Sequence, residues 1–187
     1  MADAATTLQR KLNSLEIHAL STYGTDSTFI HAVTQGWGMA LGSDSNFKAF
    51  RDKCGSLIKH LDNAIAASEL TAQTKLYSAH GSGFGVRGSL VGDPSRFVGL
   101  GYRYPGFLST SNSMDFCRRH LDTRRREESQ PTILKLEMPK GFNAVELRHG
   151  NHFGEFELLL GRNQHYRIID AGKETGGTLS LTLTPEG

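Results

Sequence analysis

Two carboxylates stand one residue apart at the start of an apolar run. Glu155 and Glu157 flank Phe156 in the sequence FGEFELLL. The alternation of a β-strand would turn both side chains to one face, where they repel each other and one of them binds its proton more tightly. Such an arrangement costs stability. It is more readily explained in a cleft that holds a cationic or oxocarbenium-like species than on an idle surface.

Three consecutive hydroxyl residues, Ser109, Thr110 and Ser111, end a second short apolar run, GFLSTS. By default such residues form a turn in which their hydroxyls bond to the nearby backbone. The alternative is a strand whose hydroxyls belong to the same site as the two glutamates. These residues alone leave both interpretations open.

Two other motifs favour structural interpretations. GFGVRG, from Gly83 to Gly88, fits the dinucleotide pattern G-x-G-x-x-G, but the sequence SLVGDPSRFVGLGY follows it instead of a helix. We therefore predict a mobile loop there. The arginine-rich run from Cys117 to Ser129 contains acidic residues at helical spacing, which indicates a solvated helix rather than an anion site.

The eight histidines do not form a metal-ligand pattern. His149 and His152 lie in a glycine-containing segment with no third candidate nearby in the sequence, so we expect no metal. His80 would ordinarily be a packed or surface residue. It is of interest only because it stands between a predicted strand and Gly81.

The elements that must position these residues follow from hydrophobic periodicity. Helical spacing relates Leu8, Leu12, Leu15 and Ala19, and a stronger helical pattern runs from Phe47 to Ile65. A further helix is predicted from about Ser113 to Glu128. After residue 72 the pattern changes to short β-type runs separated by Gly, Pro, Asn and Asp. The predicted strands are TKLYS, GFLST, TILKLEM, FNAVEL, FELLL, HYRIID and TLSLTLT.

Length and composition fit one α+β domain. The 187 residues, with a formal net charge of +2, suggest a single unit spanning 1–187, with a mainly helical part at 1–72 and a strand-rich core at 73–187. The balanced charge argues against nucleic acid or a membrane as partner. Cys54 and Cys117 predict neither a disulfide framework nor a zinc site. We see no membrane span and no cleavable secretory signal.

Three segments, taken together, resemble the mono-ADP-ribosyltransferase family, the toxin and ectoenzyme clade described by an Arg-Ser-Glu constellation. KLYSAHG resembles the first family strand, GFLSTS resembles the Ser-Thr-Ser strand, and GEFELLLGRNQHYRI resembles the Glu-x-Glu strand and the strand after it. The third segment is the most specific. The resemblance implies N-terminal helices followed by two small, mainly antiparallel sheets packed together.

The first segment departs from the family pattern. The family strand usually ends in an arginine followed by glycine, whereas alignment on Gly81 puts His80 there and alignment on LY puts Ser78 there. We prefer His80, because diphtheria-like and poly-ADP-ribose-forming relatives place a histidine at this point, where it bonds the ribose of NAD. Arg87, Arg96 and Arg103 are candidates for the charge that neutralises the NAD diphosphate.

The resemblance also implies roles for the site residues. Glu157 would stabilise the oxocarbenium-like ribose, Ser109 would orient Glu157 and the ribose, and Glu155 would engage the acceptor nucleophile. Gly81 would offer its backbone to the nicotinamide amide. The other residues expected to contact NAD are His80, Thr110, Ser111 and one or more of the aromatic side chains Tyr102, Tyr104 and Phe116. The segment containing Asn151, His152 and Phe153 resembles the substrate-recognition turn.

The implied activity is NAD-dependent mono-ADP-ribosylation of a protein side chain, with NAD as co-substrate and without a metal. Arginine is the default acceptor, and threonine of host ubiquitin is the alternative suggested by the missing arginine. The protein would then be a monomeric bacterial effector or toxin that is secreted and acts in the host cytosol. Two other functions stay open at this point: an NAD glycohydrolase, and a non-catalytic binding module that kept the scaffold.

Overall fold

The computed structural model describes residues 7–25, 27–35, 44–80, 92–124, 130–147 and 157–187. The helices within these ranges are α1 (Ser14–Thr25), α2 (Thr28–Thr34), α3 (Asp44–Ala66) and α4 (Met114–Arg124), with a 3-10 turn at Pro94–Phe97. None of the described helices combines the length and apolar character needed to cross a bilayer.

The strands fall into one small and one large group. β1 (Thr7–Gln9) and β2 (Ser68–Leu70) pair with each other, so the segments before α1 and after α3 lie side by side. The large group comprises β3 (Thr74–His80), β4 (Gly101–Tyr104), β5 (Leu108–Ser111), β6 (Thr132–Met138), β7 (Ala144–Glu146), β8 (Glu157–Leu160), β9 (Gln164–Lys173) and β10 (Leu179–Pro185).

The eight strands of the large group are hydrogen-bonded in the order β4-β9-β10-β6-β3-β5-β8-β7. β10 and β6 run parallel, and the other neighbours are antiparallel. β3 and β5 share a single residue pair, Tyr77 with Ser111. The sheet therefore consists of a five-strand half and a three-strand half that meet at one point, which agrees with the expected α+β fold built from two small, mainly antiparallel sheets.

Among the described residues, two hydrophobic cores join the two halves of the sheet and the helices. The central core lies between the two halves of the sheet and includes Leu76 and Leu136 from one half and Leu108 and Leu158 from the other. The helix core lies on the opposite face of the three-strand half. There Tyr23, Leu61, Phe107 and Leu159 join α1 and α3 to β5 and β8. Each residue of β5 and β8 therefore faces either the central core or the helices.

The start of α1 is fixed by a reciprocal hydrogen-bond motif. The Asn13 side chain accepts from the backbone N–H groups of Leu15 and Glu16, and the Glu16 carboxylate accepts from the Asn13 N–H at 2.9 Å. Arg10 donates to both Glu16 oxygens and holds the pKa of that carboxyl below its usual range. Because Ala19 and Tyr23 follow on the buried stripe of α1, this anchor also sets the position of Tyr23.

The pattern-based predictions of helices and strands are confirmed with a few corrections. The helix of residues 47–65, the helix after Ser113 and all seven predicted strands are present. The helical pattern from Leu8 to Ala19 was wrong in its first half, because Leu8 lies in β1 and Leu15 is exposed at the start of α1. GFGVRG, the motif predicted to be a mobile loop, lies outside the described residues. The sequence SLVGDPSRFVGLGY that follows it contains the 3-10 turn, where Phe97 is buried, and the start of β4, neither of which was predicted.

Phe107 provides a test of the helix core. Its side chain is fully buried beneath Tyr23, with the two ring centroids 6.1 Å apart. We expect Phe107→Ala to lower the free energy of unfolding by about 3–5 kcal/mol, since it leaves a cavity between α1 and β5. Urea unfolding monitored by circular dichroism measures this loss. Val98→Ala, at a side chain that is 48% exposed, is the control and should change stability by less than about 0.5 kcal/mol. Equal midpoints for the two variants would contradict this account of the core.

Candidate active site

The pairing of β5 with β8 brings Glu157 and the serine hydroxyls to one face of the sheet. Ser111 lies directly opposite Glu157, and Ser109 lies opposite Leu159. Cross-strand partners share a face, so Ser109, Ser111 and Glu157 all point to the side on which the helices pack. Thr110 points to the other side, where its buried hydroxyl donates to the carbonyl of Leu158 at 2.8 Å.

The end of β3 adds Ser78 and His80 to this site. The Ser78 hydroxyl donates to the carbonyl of Ser109 at 2.7 Å, and its oxygen lies 3.1 Å from Nε2 of His80. Since the single Ser78 hydrogen is used on Ser109, Ser78 must accept from His80, which therefore carries its proton on Nε2. Ser78 is buried, whereas His80 is partly exposed at the end of the strand. The two alternatives for the first motif thus lie on one face and are bonded to each other.

Tyr23 covers Ser109 from the helical side. Its hydroxyl lies 3.2 Å from the Ser109 hydroxyl and 3.0 Å from Nε2 of His31 on α2. The Tyr23 side chain is only 2% exposed, so these two groups satisfy a hydroxyl that has little access to water. Tyr23 therefore connects the serine strand to α2.

Gln35, directly after α2, continues the chain of polar contacts. Its Nε2 lies 3.1 Å from Nδ1 of His31 and donates to the Tyr104 hydroxyl at 3.2 Å. The ring of Tyr104 in turn lies edge-on to His80, with the two centroids 5.9 Å apart. These contacts close a ring of seven side chains that we call the polar belt. It consists of Tyr23, His31, Gln35, Ser78, His80, Tyr104 and Ser109.

A glycine allows α2 to approach β5 closely enough to complete the belt. A Cβ atom at Gly106 would lie 3.0 Å from Nε2 of Gln35, 3.1 Å from Cγ of Gln35 and 3.2 Å from Oγ1 of Thr34. These distances are shorter than ordinary van der Waals contacts, so a side chain at this position would displace Gln35.

Burial keeps the two histidines of the belt neutral. Desolvation lowers the pKa of His80 to about 4, and the neighbouring His31 and His120 add to this effect. Desolvation likewise lowers the pKa of His31. Burial also raises the pKa of Tyr23 and of Tyr104. The belt therefore consists of uncharged hydrogen-bonding groups at neutral pH.

Glu157 supplies negative charge next to this neutral belt. It is partly buried at the first position of β8, and its carboxylate is close enough to contribute to the raised pKa of Tyr23. A partly buried carboxylate beside neutral, hydrogen-bonded groups can stabilise a positive charge that develops on a bound molecule.

Three sequence-predicted aromatic residues lie at different places around the cleft. Tyr104 is buried and belongs to the belt. Tyr102 is partly exposed, with its ring centroid 6.5 Å from that of Tyr104. Phe116 lies on α4 beside His120 at 5.9 Å. Tyr102 and Phe116 thus have more access to a ligand than Tyr104 has.

The described arginine candidates for diphosphate neutralisation lie away from the belt. Arg96 is exposed and pairs with Asp93 at 3.6 Å. Arg103 alternates with Tyr102 and Tyr104 along β4, so it points to the opposite face, where it donates to Asn163 at 2.8 Å. Arg87 lies outside the described residues.

Several predicted site residues also lie outside the described ranges. They are Gly81, Asn151, His152, Phe153 and Glu155. Within the described ranges, no cluster of three or more His, Cys, Asp or Glu residues has the arrangement of a metal site.

Three residues of the belt were missed by the sequence analysis: Tyr23, His31 and Gln35. A signal was available, since Tyr23 follows Ala19 by one helical turn on the apolar stripe, and His31 and Gln35 are also four residues apart. Polar residues placed on the buried face of a helix need partners, which marks them as members of a network.

Comparison with known proteins identifies similar sequences and folds. Residues 2–184 match the family model of the ADP-ribosyltransferase exoenzyme. The Clostridium limosum C3 exoenzyme has 18% identity, with 100% of this chain and 99% of that chain covered and a TM-score of 0.67. C3stau2 from S. aureus, solved with NAD, has 18% identity, with 94% and 88% covered and a TM-score of 0.66. Vis from Vibrio splendidus, solved with agmatine, has 15% identity, with 96% and 77% covered and a TM-score of 0.70. No curated protein sequence matches significantly.

The neutral state of His80 predicts acid destabilisation. The pKa of His80 is about 4 in the folded protein and about 6.5 in the unfolded chain, so the unfolded chain binds more protons between these values. The stabilisation is complete above pH 6.5 and is lost as the pH falls towards 4. His80→Gln keeps a donor for Ser78 but cannot titrate. We expect the melting temperature of this variant to fall less than that of the wild type between pH 7 and pH 4. The same fall in both proteins would show that His80 does not contribute.

Proposed function

The chain belongs to the ADP-ribosyltransferase exoenzyme family, whose members transfer ADP-ribose from NAD to proteins, and on this premise we propose that the polar belt and Glu157 form its NAD-cleaving site. The observation that carries the proposal is the register of β5 with β8, which turns Ser109, Ser111 and Glu157 to one face of the sheet. His80 is connected to this strand through Ser78, which donates to the Ser109 carbonyl. NAD is the co-substrate, and the reaction is mono-ADP-ribosylation of a protein side chain.

Glu157 is the proposed catalytic carboxylate. When the bond between nicotinamide and the ribose C1′ breaks, nicotinamide leaves with the bonding electron pair and positive charge develops on the ribose. A carboxylate held beside the ribose stabilises this oxocarbenium-like state more than it stabilises neutral bound substrate. The nucleophile of the acceptor then forms the new bond to C1′ and releases its proton.

His80 is proposed as the ribose-binding residue of the first motif. Its Nε2–H is directed at Ser78, which makes Nδ1 the acceptor atom of the neutral ring. A neutral acceptor suits a ribose hydroxyl and does not suit the diphosphate. Ser78 is buried, and its hydroxyl bonds to the Ser109 carbonyl, which supports a positioning role for Ser78 rather than a direct contact with NAD.

Structures of other family-fold proteins support the choice of ligands. C3stau2 was solved with NAD, and Vis was solved with agmatine, whose guanidinium resembles the end of an arginine side chain. We propose arginine as the acceptor side chain, and threonine of ubiquitin is the alternative to be tested. Vis is described as a toxin, which supports action of the present protein on a host protein after secretion.

Glu157→Gln is the direct test of the catalytic assignment. We expect the rate of NAD cleavage to fall by about a hundredfold or more, because the amide keeps the shape of the carboxylate but not its charge. Nicotinamide release from NAD, with and without a host-cell lysate, measures the effect. The matched control is Glu69→Gln at an exposed position of β2, which should retain activity.

The outcome with wild-type protein also separates the possible functions. Labelled protein indicates transfer, free ADP-ribose alone indicates a glycohydrolase, and no turnover indicates a binding module. Near-normal cleavage by a folded Glu157→Gln variant would contradict the catalytic role.

Glu155→Gln tests the choice of acceptor. We expect this variant to lose transfer to agmatine at least tenfold more than it loses NAD cleavage, because the carboxylate is proposed to bind the acceptor guanidinium and accept its proton. Mass spectrometry of products from agmatine and from ubiquitin, each supplied separately, measures the transfer. Modification of a ubiquitin threonine without modification of agmatine would replace arginine by threonine as the acceptor. Equal loss of transfer and cleavage would place Glu155 on NAD.

A further inference from the structure

The hydrogen-bond donors and acceptors around Gln35 give the polar belt a direction. The amide nitrogen of Gln35 has two hydrogens and no acceptor capacity, and it faces both Tyr104 and Nδ1 of His31. Nδ1 of His31 must therefore be an acceptor. Because the ring is neutral, its proton is on Nε2.

This tautomer determines the hydrogen bonds that follow. Nε2–H of His31 donates to the Tyr23 oxygen across 3.0 Å. The Tyr23 hydrogen then points at the Ser109 oxygen across 3.2 Å. Ser109 accepts at its hydroxyl oxygen, so its own hydrogen is directed to another acceptor. The backbone carbonyl of Ser109 already accepts a hydrogen bond from Ser78, so it does not need the Ser109 hydroxyl as a donor.

The acceptor on the same face is provided by the neighbouring strand. Glu157 lies at the start of β8, on the face of the sheet that carries Ser109. Its carboxylate has only acceptor atoms, and it is close enough to Tyr23 to contribute to that residue's raised pKa. The donors therefore run from Gln35 through His31 and Tyr23 to Ser109, and Glu157 offers an acceptor on the face to which Ser109 points.

We propose that His31 and Gln35 are positioning residues that fix the Ser109 hydroxyl as a hydrogen-bond donor to Glu157. This inference rests on the proposed catalytic function of Glu157. In the opposite direction, Ser109 would donate to Tyr23 and present a lone pair to the carboxylate, which repels it. The belt thus selects the orientation in which the Ser109 hydroxyl donates to the carboxylate and holds it in place.

A competing protonation state of His31 is disfavoured by the same geometry. An imidazolium or an Nδ1–H tautomer would place an N–H against the N–H of Gln35 at 3.1 Å. His31 is partly buried among Tyr23, Gln35 and the helix core, where water cannot readily relieve such a conflict. Gln35 therefore controls the tautomer of His31 without contacting Ser109 or Glu157.

Two near-isosteric variants of His31 separate positioning from packing. The amide of His31→Gln reaches as far as Nε2 and can still donate to Tyr23, whereas the amide of His31→Asn reaches only as far as Nδ1. We expect His31→Asn to lower kcat for NAD cleavage by about three- to tenfold with KM within about twofold, the range for one lost hydrogen bond. His31→Gln should recover most of this loss. Tyr23→Phe should match His31→Asn.

Measurements in a Ser109→Ala variant show whether His31 affects kcat through Ser109. If His31 acts through Ser109, the substitution His31→Asn should cause no further loss of kcat in that background. A side chain that only packs would cause the same loss in both backgrounds and would lower the melting temperature equally in the Asn and Gln variants. Either of those results would overturn the proposal.

Nitrogen-15 NMR of the histidine rings gives a readout that does not depend on turnover. We expect His31 of the wild-type protein to show a protonated Nε2 and an unprotonated Nδ1 at pH 7. An Nδ1–H signal would overturn the inference while the proposed function remained intact, provided that the wild type cleaves NAD. A wild-type protein that leaves NAD uncleaved would remove the proposed function, and this positioning role with it.

Discussion

The alternation of side chains along β5 is the constraint on which the cleft depends. Leu108 and Thr110 face the central core, while Ser109 and Ser111 face the helices, as does Phe107 just before the strand. The four residues of β5 therefore alternate between packing and the candidate site. A slip of one residue would bury the serines among leucines and turn Thr110 to the helices. The single pairing of Tyr77 with Ser111 and the Ser78–Ser109 hydrogen bond attach this strand to the other half of the sheet. The position of β5 therefore determines how the helices, β8 and the end of β3 lie relative to one another at the candidate site.

The charge described at the candidate site is negative and is carried by Glu157. The belt consists of neutral imidazoles, hydroxyls and an amide, and Glu157 stands beside it as a carboxylate. In a desolvated site the field of a carboxylate is weakened most by a cation nearby. In the proposed assignment, His80 puts no cation beside Glu157, so the field of the carboxylate at the ribose is less opposed. In the same assignment the diphosphate is neutralised from outside the belt, since Arg96 pairs with Asp93 at an exposed position and Arg103 donates to Asn163.

The strands could be predicted from the sequence because they depend on local patterns. The link between Ser109 and Glu157 was implied only by the family resemblance, because their shared face depends on the pairing of β5 with β8. Alternation and turn residues define strands such as Thr132–Met138 within the chain itself. The belt could not be predicted in this way, because it depends on partners as far apart as Tyr23 and Ser109, which only the tertiary fold brings together. Leu15 shows the opposite limit: it has helical spacing to Ala19, yet the capping motif at Asn13 starts the helix so late that Leu15 remains exposed. The pairing of β4 with β9 similarly orders a glycine-rich segment in which local sequence predicts a loop.

Gly106 links two parts of the sequence that would otherwise vary independently. The Gln35 side chain can lie this close to residue 106 because that residue has no Cβ. During divergence of the family, a larger residue at 106 would press on both Gln35 and Thr34, so it would require smaller or displaced residues at positions 34 and 35. Positions 35 and 106 are therefore expected to covary among close homologues, although they are 71 residues apart in the chain. Such covariation would reflect the contact between the end of α2 and Gly106, which precedes β5.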